Sequence, residues 1–508
     1  MSAAPSLPTR RRLLAGRFSA RDAVVAALVL LLWTVVGATW FLRTYLGLVT
    51  PDQVLFHLQN GGLDYADPRM LWRACRCLAA VLALTALSLF LLRRMKRWHR
   101  LSLLAVLGAG AVVSVNATVS DPCQPEPDGG DYLARHYVDP GRVDLQLPAD
   151  KPDVLVVFVE SLDEDYTRPR EPRAALLPRL TRMQDDFQTL GDLRNLSGAS
   201  WTVGGMFTAL CGLPLQPVGL MSHNSLEYSR RFFEGGRCLT DLLAARGWDI
   251  SFYGGASLKF AGKGRFLEDH HVARRFGAEQ WQQQGLTVPP AGWGLLDSDL
   301  AEQAWADMRR PREHGEPRMS LLLTVDTHGP SGAHDRGCIA SAGDLGVADD
   351  EDDDEPADVM REALRCTDRV VARLVERFVA ERDGRPKVVW IMGDHLNPEP
   401  MLDGELVPEA HGRTVFHALA RYDAQGRALP ADDLQRQFTH VDILPTLAEA
   451  IGLRWQPQAH HLGLGVSLLA EPRQPTLAES EGMARVNGRL SCRSPLFQRM
   501  WMNAVNAV

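Results

Sequence analysis

The chain has 508 residues and a formal net charge of −7. That balance excludes the overall basic field of a nucleic-acid binder, and the length admits a membrane region plus one large globular domain. Eight cysteines without a CxxC pair or finger-like spacing argue against structural zinc.

Arg10, Arg11, Arg12, Arg17 and Arg21 precede an apolar run from Ala23 to Leu42, which at about 20 residues is long enough to cross a bilayer. Further apolar runs span Leu78 to Leu92 and Leu101 to Val119, separated by RRMKRWHR (Arg93 to Arg100). Dense positive charge stays in the cytoplasm. Residues 1–120 are therefore predicted to form three transmembrane helices, amino terminus inside and the remainder outside.

Residues 121–147, rich in Pro, Asp and Gly, read as a linker. A folded domain is predicted over 148–470, with 471–508 as a C-terminal extension. Within it the apolar runs Val154 to Val159, Trp248 to Tyr253, Ser320 to Val325 and Val388 to Met392 alternate with helical patterns. This is the signature of an α/β/α sandwich with a largely parallel sheet, whose sites form at the carboxyl ends of strands. The run DDEDDDE (Asp349 to Glu355) reads as a solvated loop and lacks EF-hand spacing.

Chemistry concentrates after the strands. Asn195 to Pro214 predicts a helix over Val203 to Leu210, with Ser200 and Thr202 as capping residues. A helix start favours an anionic phosphoryl group, and Thr202 is there to attack it. Taken alone, an ordinary capped helix is the better explanation of that turn. Glu160 follows the first strand, and Asp394 and His395 follow the fourth. Carboxylates behind buried strands are costly unless paired or bound to a cation, and Glu, Asp and His together suit a divalent ion that would activate the Thr202 hydroxyl. The third strand runs into Asp326, Thr327 and His328, which places His328 to bind a phosphate oxygen or protonate a leaving alkoxide. Lys259, Lys263 and Arg265 form a basic cluster ahead of His270 and His271, for which a solvated face is an equal explanation. Trp293, Gly294 and Asp297 read as a turn packed by its Trp, and His440 and Asp442 as helix-start residues rather than ligands.

VFVES, GASWTVGGMFTALCGLPL, GASLKFAGKGRFLEDHH, WGLLD, LTVDTHGP, MGDH and HLGLGVSLL together resemble the phosphoglycerol transferases. These are relatives of lipoteichoic acid synthase in the alkaline phosphatase superfamily, often labelled sulfatase-like. The resemblance covers Pro148 to Ala470 and is nearest in kind to the enzymes that decorate periplasmic glucans. It implies an alkaline-phosphatase-like fold and a bacterial inner-membrane, multi-pass enzyme with its catalytic domain in the periplasm. The implied reaction takes phosphoglycerol from phosphatidylglycerol to a glycan through a phosphothreonine on Thr202. The resemblance also implies one divalent ion, manganese before magnesium or zinc, on Glu160, Thr202, Asp394 and His395. Substrate contacts are expected at Lys263, His328, Trp201 and Trp293. Lipoteichoic acid synthases carry a Trp and an Arg where this chain has Ala261 and Lys263, and the C/S-x-P-x-R segment of true sulfatases is missing. The rival readings are a phosphoethanolamine transferase, a phosphodiesterase or sulfatase-like hydrolase, or a silent membrane-bound glycan or lipid binder. Export, with loops of about 27 and 28 residues to close, leads us to expect disulfides Cys211–Cys238 and Cys338–Cys366.

Overall fold

The computed structural model describes residues 20–45, 68–119, 124–170, 175–216, 231–289, 292–329, 332–341, 355–398, 402–407, 412–430, 433–492 and 494–502. Of the acidic run, all but Glu355 lies outside them. The described residues form two compact units, one of helices before residue 120 and one from residue 124 onward.

The first unit holds the helices Ala20–Tyr45, Pro68–Arg94 and Arg97–Val119. Two stretches, Asp22–Phe41 and Trp72–Arg94, are long and apolar enough to cross a membrane, whereas Trp98–Ser114 is shorter. At ~1.5 Å per residue the last covers about 26 Å, less than a hydrocarbon core of about 30 Å. Among the described residues two spans therefore meet the criterion where three were expected. Their outward faces are apolar, with Leu78, Leu82 and Phe90 exposed, and polar contacts join the helices. Trp33 Nε1 donates to Ser88 Oγ at 3.0 Å, and Thr39 pairs with Ser114.

In the second unit the strands are β1 (Asp144–Gln146), β2 (Asp153–Val159), β3 (Gly191–Arg194), β4 (Asp249–Gly254), β5 (Arg274–Phe276), β6 (Arg318–Leu323), β7 (Lys387–Gly393), β8 (His417–Tyr422), β9 (Arg436–Thr439) and β10 (Arg454–Gln456). The main sheet runs β5-β4-β6-β2-β7-β8, parallel throughout except that β8 lies antiparallel to β7. Side chains alternate across a strand, so Val154, Val156 and Phe158 pack with Met206 and Phe207 on one face. Leu155, Val157 and Val159 pack with Leu300, Leu364 and Val371 on the other. Burial on both faces is why β2 and β7 read as unbroken apolar runs.

The expected linker and C-terminal extension are parts of this same unit. β1 pairs with β10, Tyr132 is buried and donates its hydroxyl to Glu481 at 2.7 Å, and Gln124 N–H donates to Gly488 O at 2.7 Å. In the tail, Phe497 joins the core, and Arg436 of β9 makes an ion pair with Glu479 at 2.7 Å. Polar composition disguised segments that anchor themselves by a few buried aromatic side chains and by backbone pairing. Cys211 is bonded to Cys238 and Cys338 to Cys366, while Cys75 and Cys77 are free thiols.

Candidate active site

The parallel register sets Val159 beside Gly393, so the next residues, Glu160 and Asp394, meet at the carboxyl ends of β2 and β7. Ser161 then turns the chain at φ 52, a left-handed conformation that non-glycine residues seldom adopt outside functional sites. The turn serves both acids. Ser161 N–H donates to Asp394 Oδ1 at 2.8 Å, and its hydroxyl donates to Glu160 Oε1 at 2.7 Å. The Glu160 backbone is held by hydroxyls from the end of β6: its N–H donates to Thr324 Oγ1 at 2.9 Å and its carbonyl accepts from Thr327 Oγ1 at 2.6 Å.

His395 completes the group. Its Nδ1–H donates to Leu396 O at 2.8 Å, which leaves Nε2 3.5 Å from both Glu160 Oε1 and Asp394 Oδ2. The ligand atoms of Glu160, Asp394 and His395 lie within 4.8 Å of one another. Asp394 Oδ2 is buried without a hydrogen-bond donor. Burial, and then the Glu160 charge, pushes the Asp394 carboxyl up to about 7. Burial also opposes ionisation of Glu160, but the His328 and His395 imidazoles and the Ser161 and Thr202 hydroxyls outweigh it and hold that acid below its ordinary range. Two adjacent buried carboxylates with an orphaned oxygen and an imidazole nitrogen are the donor set of a divalent cation, and these residues fit one.

Thr202 opens the helix Thr202–Cys211, whose N-cap is Trp201 in extended conformation with no side-chain cap. Neither Ser200 nor Thr202 caps it, contrary to the sequence expectation. Thr202 is already the first helical residue, and its hydroxyl donates instead to Glu160 Oε2 at 3.2 Å. Gly205 permits that approach, because a Cβ there would lie 2.0 Å from Asp394 O. Behind the site, His440 Nε2 meets Asp394 O at 2.9 Å. Burial lowers His440 to about 4, so the ring is neutral and Nε2–H donates.

The basic cluster separates. Lys259 and Arg265 face solvent, Arg265 pairing with Glu268 at 2.9 Å, whereas Lys263 is only 2% exposed. Burial lowers Lys263 to about 8 against the pull of Glu160, Glu279 and Asp394. His328 is half-buried, donates Nδ1–H to Gly329 O at 2.7 Å, and has the Trp293 ring 3.8 Å from its own centroid to centroid. Trp201, also half-buried, covers Gly204 with its indole: a Cβ at Gly204 would lie 2.6 Å from Trp201 Nε1. Sequence reasoning assigned no role to Ser161, Thr324, Thr327 or Gly205, although small hydroxyl residues close behind two strand ends, those of β2 and β6, were a usable signal.

The sulfatase family profile matches residues 152–453. Phosphoglycerol transferase I of Xanthomonas euvesicatoria is 28% identical over 331 residues, covering 64% of this chain and 43% of that protein. The protein of the same name from Xanthomonas campestris is 27% identical over 426 residues, covering 80% of this chain and 56% of that one. The chain thus spans about half the length of these curated relatives. Among solved structures, the lipoteichoic acid synthase LtaP of Listeria monocytogenes superposes with a TM-score of 0.46 at 14% identity, covering 70% of this chain and 81% of that one.

Proposed function

The chain belongs to the sulfatase family, and from that premise we propose that it transfers phosphoglycerol from phosphatidylglycerol to a glycan hydroxyl, with a phosphothreonine on Thr202 as the intermediate. The observation that carries the reading is the Thr202 hydroxyl, at a helix start, donating to Glu160 beside Asp394 and His395. The relatives named phosphoglycerol transferase I support the choice of transferred group.

Glu160 orients the Thr202 hydroxyl and accepts its hydrogen bond. The oxygen attacks phosphorus, the bond from phosphorus to the diacylglycerol oxygen breaks, and that oxygen leaves with a proton as diacylglycerol. His328 keeps Nδ1–H on Gly329 O, so Nε2 is the nitrogen available to carry the proton. In the second half a glycan hydroxyl attacks the phosphothreonine, and Thr202 is regenerated. Lys263 and the helix start supply positive charge to the phosphate. A divalent ion held by Glu160, Asp394 and His395 beside Thr202, manganese in preference to magnesium or zinc, would supply Lewis-acid stabilisation of the phosphoryl charge.

A lipid donor fits a chain with apolar anchoring helices, and the Arg93 to Arg100 stretch keeps its side in the cytoplasm. The 23-residue helix Arg97–Val119, about 35 Å long although its apolar stretch is shorter, is then the third crossing that carries the chain to a periplasmic catalytic unit. A reporter active only outside the cytoplasm should be active when fused after Gly129 and silent at Lys96; the reverse pattern overturns the topology. The function is tested with purified full-length protein, phosphatidylglycerol labelled in its head group, and candidate glucans. Diacylglycerol release together with label on the glucan is expected, and neither appearing would sink the reading.

A further inference from the structure

Trp293 sits on a segment tied down at two strand ends. Gly294 packs backbone to backbone on the end of β4, where a Cβ would lie 2.2 Å from Gly255 C, and Leu295 N–H donates to Gly255 O at 3.0 Å. Asp297 fastens the same segment to the end of β6: its Oδ1 accepts from Val325 N–H at 2.8 Å, and its N–H donates to Asp326 Oδ2 at 2.9 Å. These ties fix the indole against the His328 imidazole, centroids 3.8 Å apart and planes at 31°. The Phe260 ring meets Trp293 edge-on at 6.2 Å and 74°. Phe260 in turn opens the turn that leads into Lys263. Three aromatic rings thus link the segment carrying the buried lysine to the one carrying the histidine.

Among the described residues the one hydrogen bond made by the His328 ring is Nδ1–H to Gly329 O, and a single such bond leaves the ring free to rotate about it. A flat ring packed at a tilt against its face removes that freedom. We infer that Trp293 is a positioning residue that acts through His328, holding the imidazole so that Nε2 is presented to the reacting phosphoryl group. This rests on the phosphoryl-transfer reading above and differs from direct substrate contact by Trp293. Substrate contact predicts a raised KM; action through His328 predicts a lowered kcat whose effect vanishes once His328 is gone.

The test is a double-mutant cycle in the full-length protein, read on phosphatidylglycerol and on the chromogenic diester bis(p-nitrophenyl) phosphate. Trp293→Ala should lower kcat about tenfold or more with KM within about threefold, since misplacement of a reacting group by about an ångström has effects of this order or larger. Trp293→Phe, which keeps a flat ring, should recover most of the loss. In a His328→Gln background, Trp293→Ala should add nothing. A KM effect at unchanged kcat, or full additivity, overturns the inference. Loss of wild-type turnover on the lipid alone, with the chromogenic diester still cleaved, would sink the donor assignment and leave the cycle readable. Independently of activity, the His328 ring protons in histidine-labelled protein should be displaced by the indole ring current and return to ordinary positions in Trp293→Ala. An unchanged spectrum would overturn the contact.

Discussion

At the ends of β2 and β7, Glu160 and Asp394 share a buried space with His395; one strand over, at the end of β6, Asp326 is buried near Asp297 and Asp335. Each cluster keeps one buried oxygen without a donor, Asp394 Oδ2 in the first and Asp326 Oδ1 in the second. Burial raises Asp394 and Asp297 to about 7 each, and burial followed by the charges of Asp297 and Asp335 raises Asp326 well above its ordinary range. What surrounds them differs. The first cluster gathers its ligand atoms within 4.8 Å, one of them the His395 imidazole nitrogen, and feels the buried Lys263 ammonium. Among the described residues, only Asp335 of the second belongs to such a gathering, and its companions Cys338 and Cys366 are tied up in a disulfide; the three acids are met by backbone amides and hydroxyls. Thr367 Oγ1 donates to Asp297 at 3.0 Å, and Ser298 N–H and Oγ donate to Asp335 at 2.8 and 2.6 Å. An acid after a buried strand is therefore not in itself a metal ligand. The first cluster offers the donors a cation needs, whereas in the second burial and neighbouring charge favour the protonated form of Asp326.

The sharpest way to break that contrast is to remove one group from the first cluster. Thr202→Ala should leave the fold and the cation set in place yet lower diacylglycerol release by roughly 10³-fold or more, about 4 kcal/mol of barrier. Thr202→Ser should retain partial activity. Asp394→Asn should lose bound metal and turnover together, measured by metal analysis of the purified protein alongside lipid turnover. Near wild-type release by folded, metal-loaded Thr202→Ala protein would end the nucleophile assignment.

The strands carrying the first cluster were legible because a strand buried on both faces shows as a continuous apolar run, and the acids stood directly behind Val159 and Gly393. The support around them was not. Gly205 looks like any helix glycine until the Asp394 carbonyl is brought against it, and the left-handed Ser161 has no local composition signal. The short strands β5 and β8 were missed for lack of apolar length, and β3 pairs with β9 across almost half the chain, a contact no local pattern encodes. Asp326 could be read from sequence as an acid after a strand and Asp297 only as part of the Trp293 turn, but the amides that satisfy them lie on other elements.

The disulfides offer a middle-sized test, because one closes near each cluster. Cys211 ends the Thr202 helix, while Cys366 precedes Thr367, the hydroxyl donor to Asp297. Replacing either pair with serines should cost roughly 3 to 4 kcal/mol in denaturant unfolding, from the chain entropy of loops of this size. Loss of Cys338–Cys366 should leave kcat of the folded fraction within a fewfold of wild type. Peptide mapping without reductant checks the pairings, and free thiols at these positions in mature protein would refute them.

The smallest expected effect separates the clusters most cleanly. Asp326 and Asp335 are within hydrogen-bonding reach of each other, and Asp326 keeps its proton in the folded state well above the ordinary value of 3.8. The unfolded chain releases that proton near 3.8, so the stability it contributes is full below that pH and is lost as pH rises through the raised folded value. Asp326→Asn cannot titrate. It keeps an acceptor for the Asp297 N–H. The variant should therefore stay within about 1 kcal/mol of wild type at pH 5, and its stability should fall less steeply between pH 5 and 8. Metal content should be unchanged, in contrast to Asp394→Asn. Unfolding midpoints across that range, with metal analysis of the same samples, decide the matter. A loss of one metal equivalent in Asp326→Asn would make the second cluster a cation site like the first and erase the distinction between them.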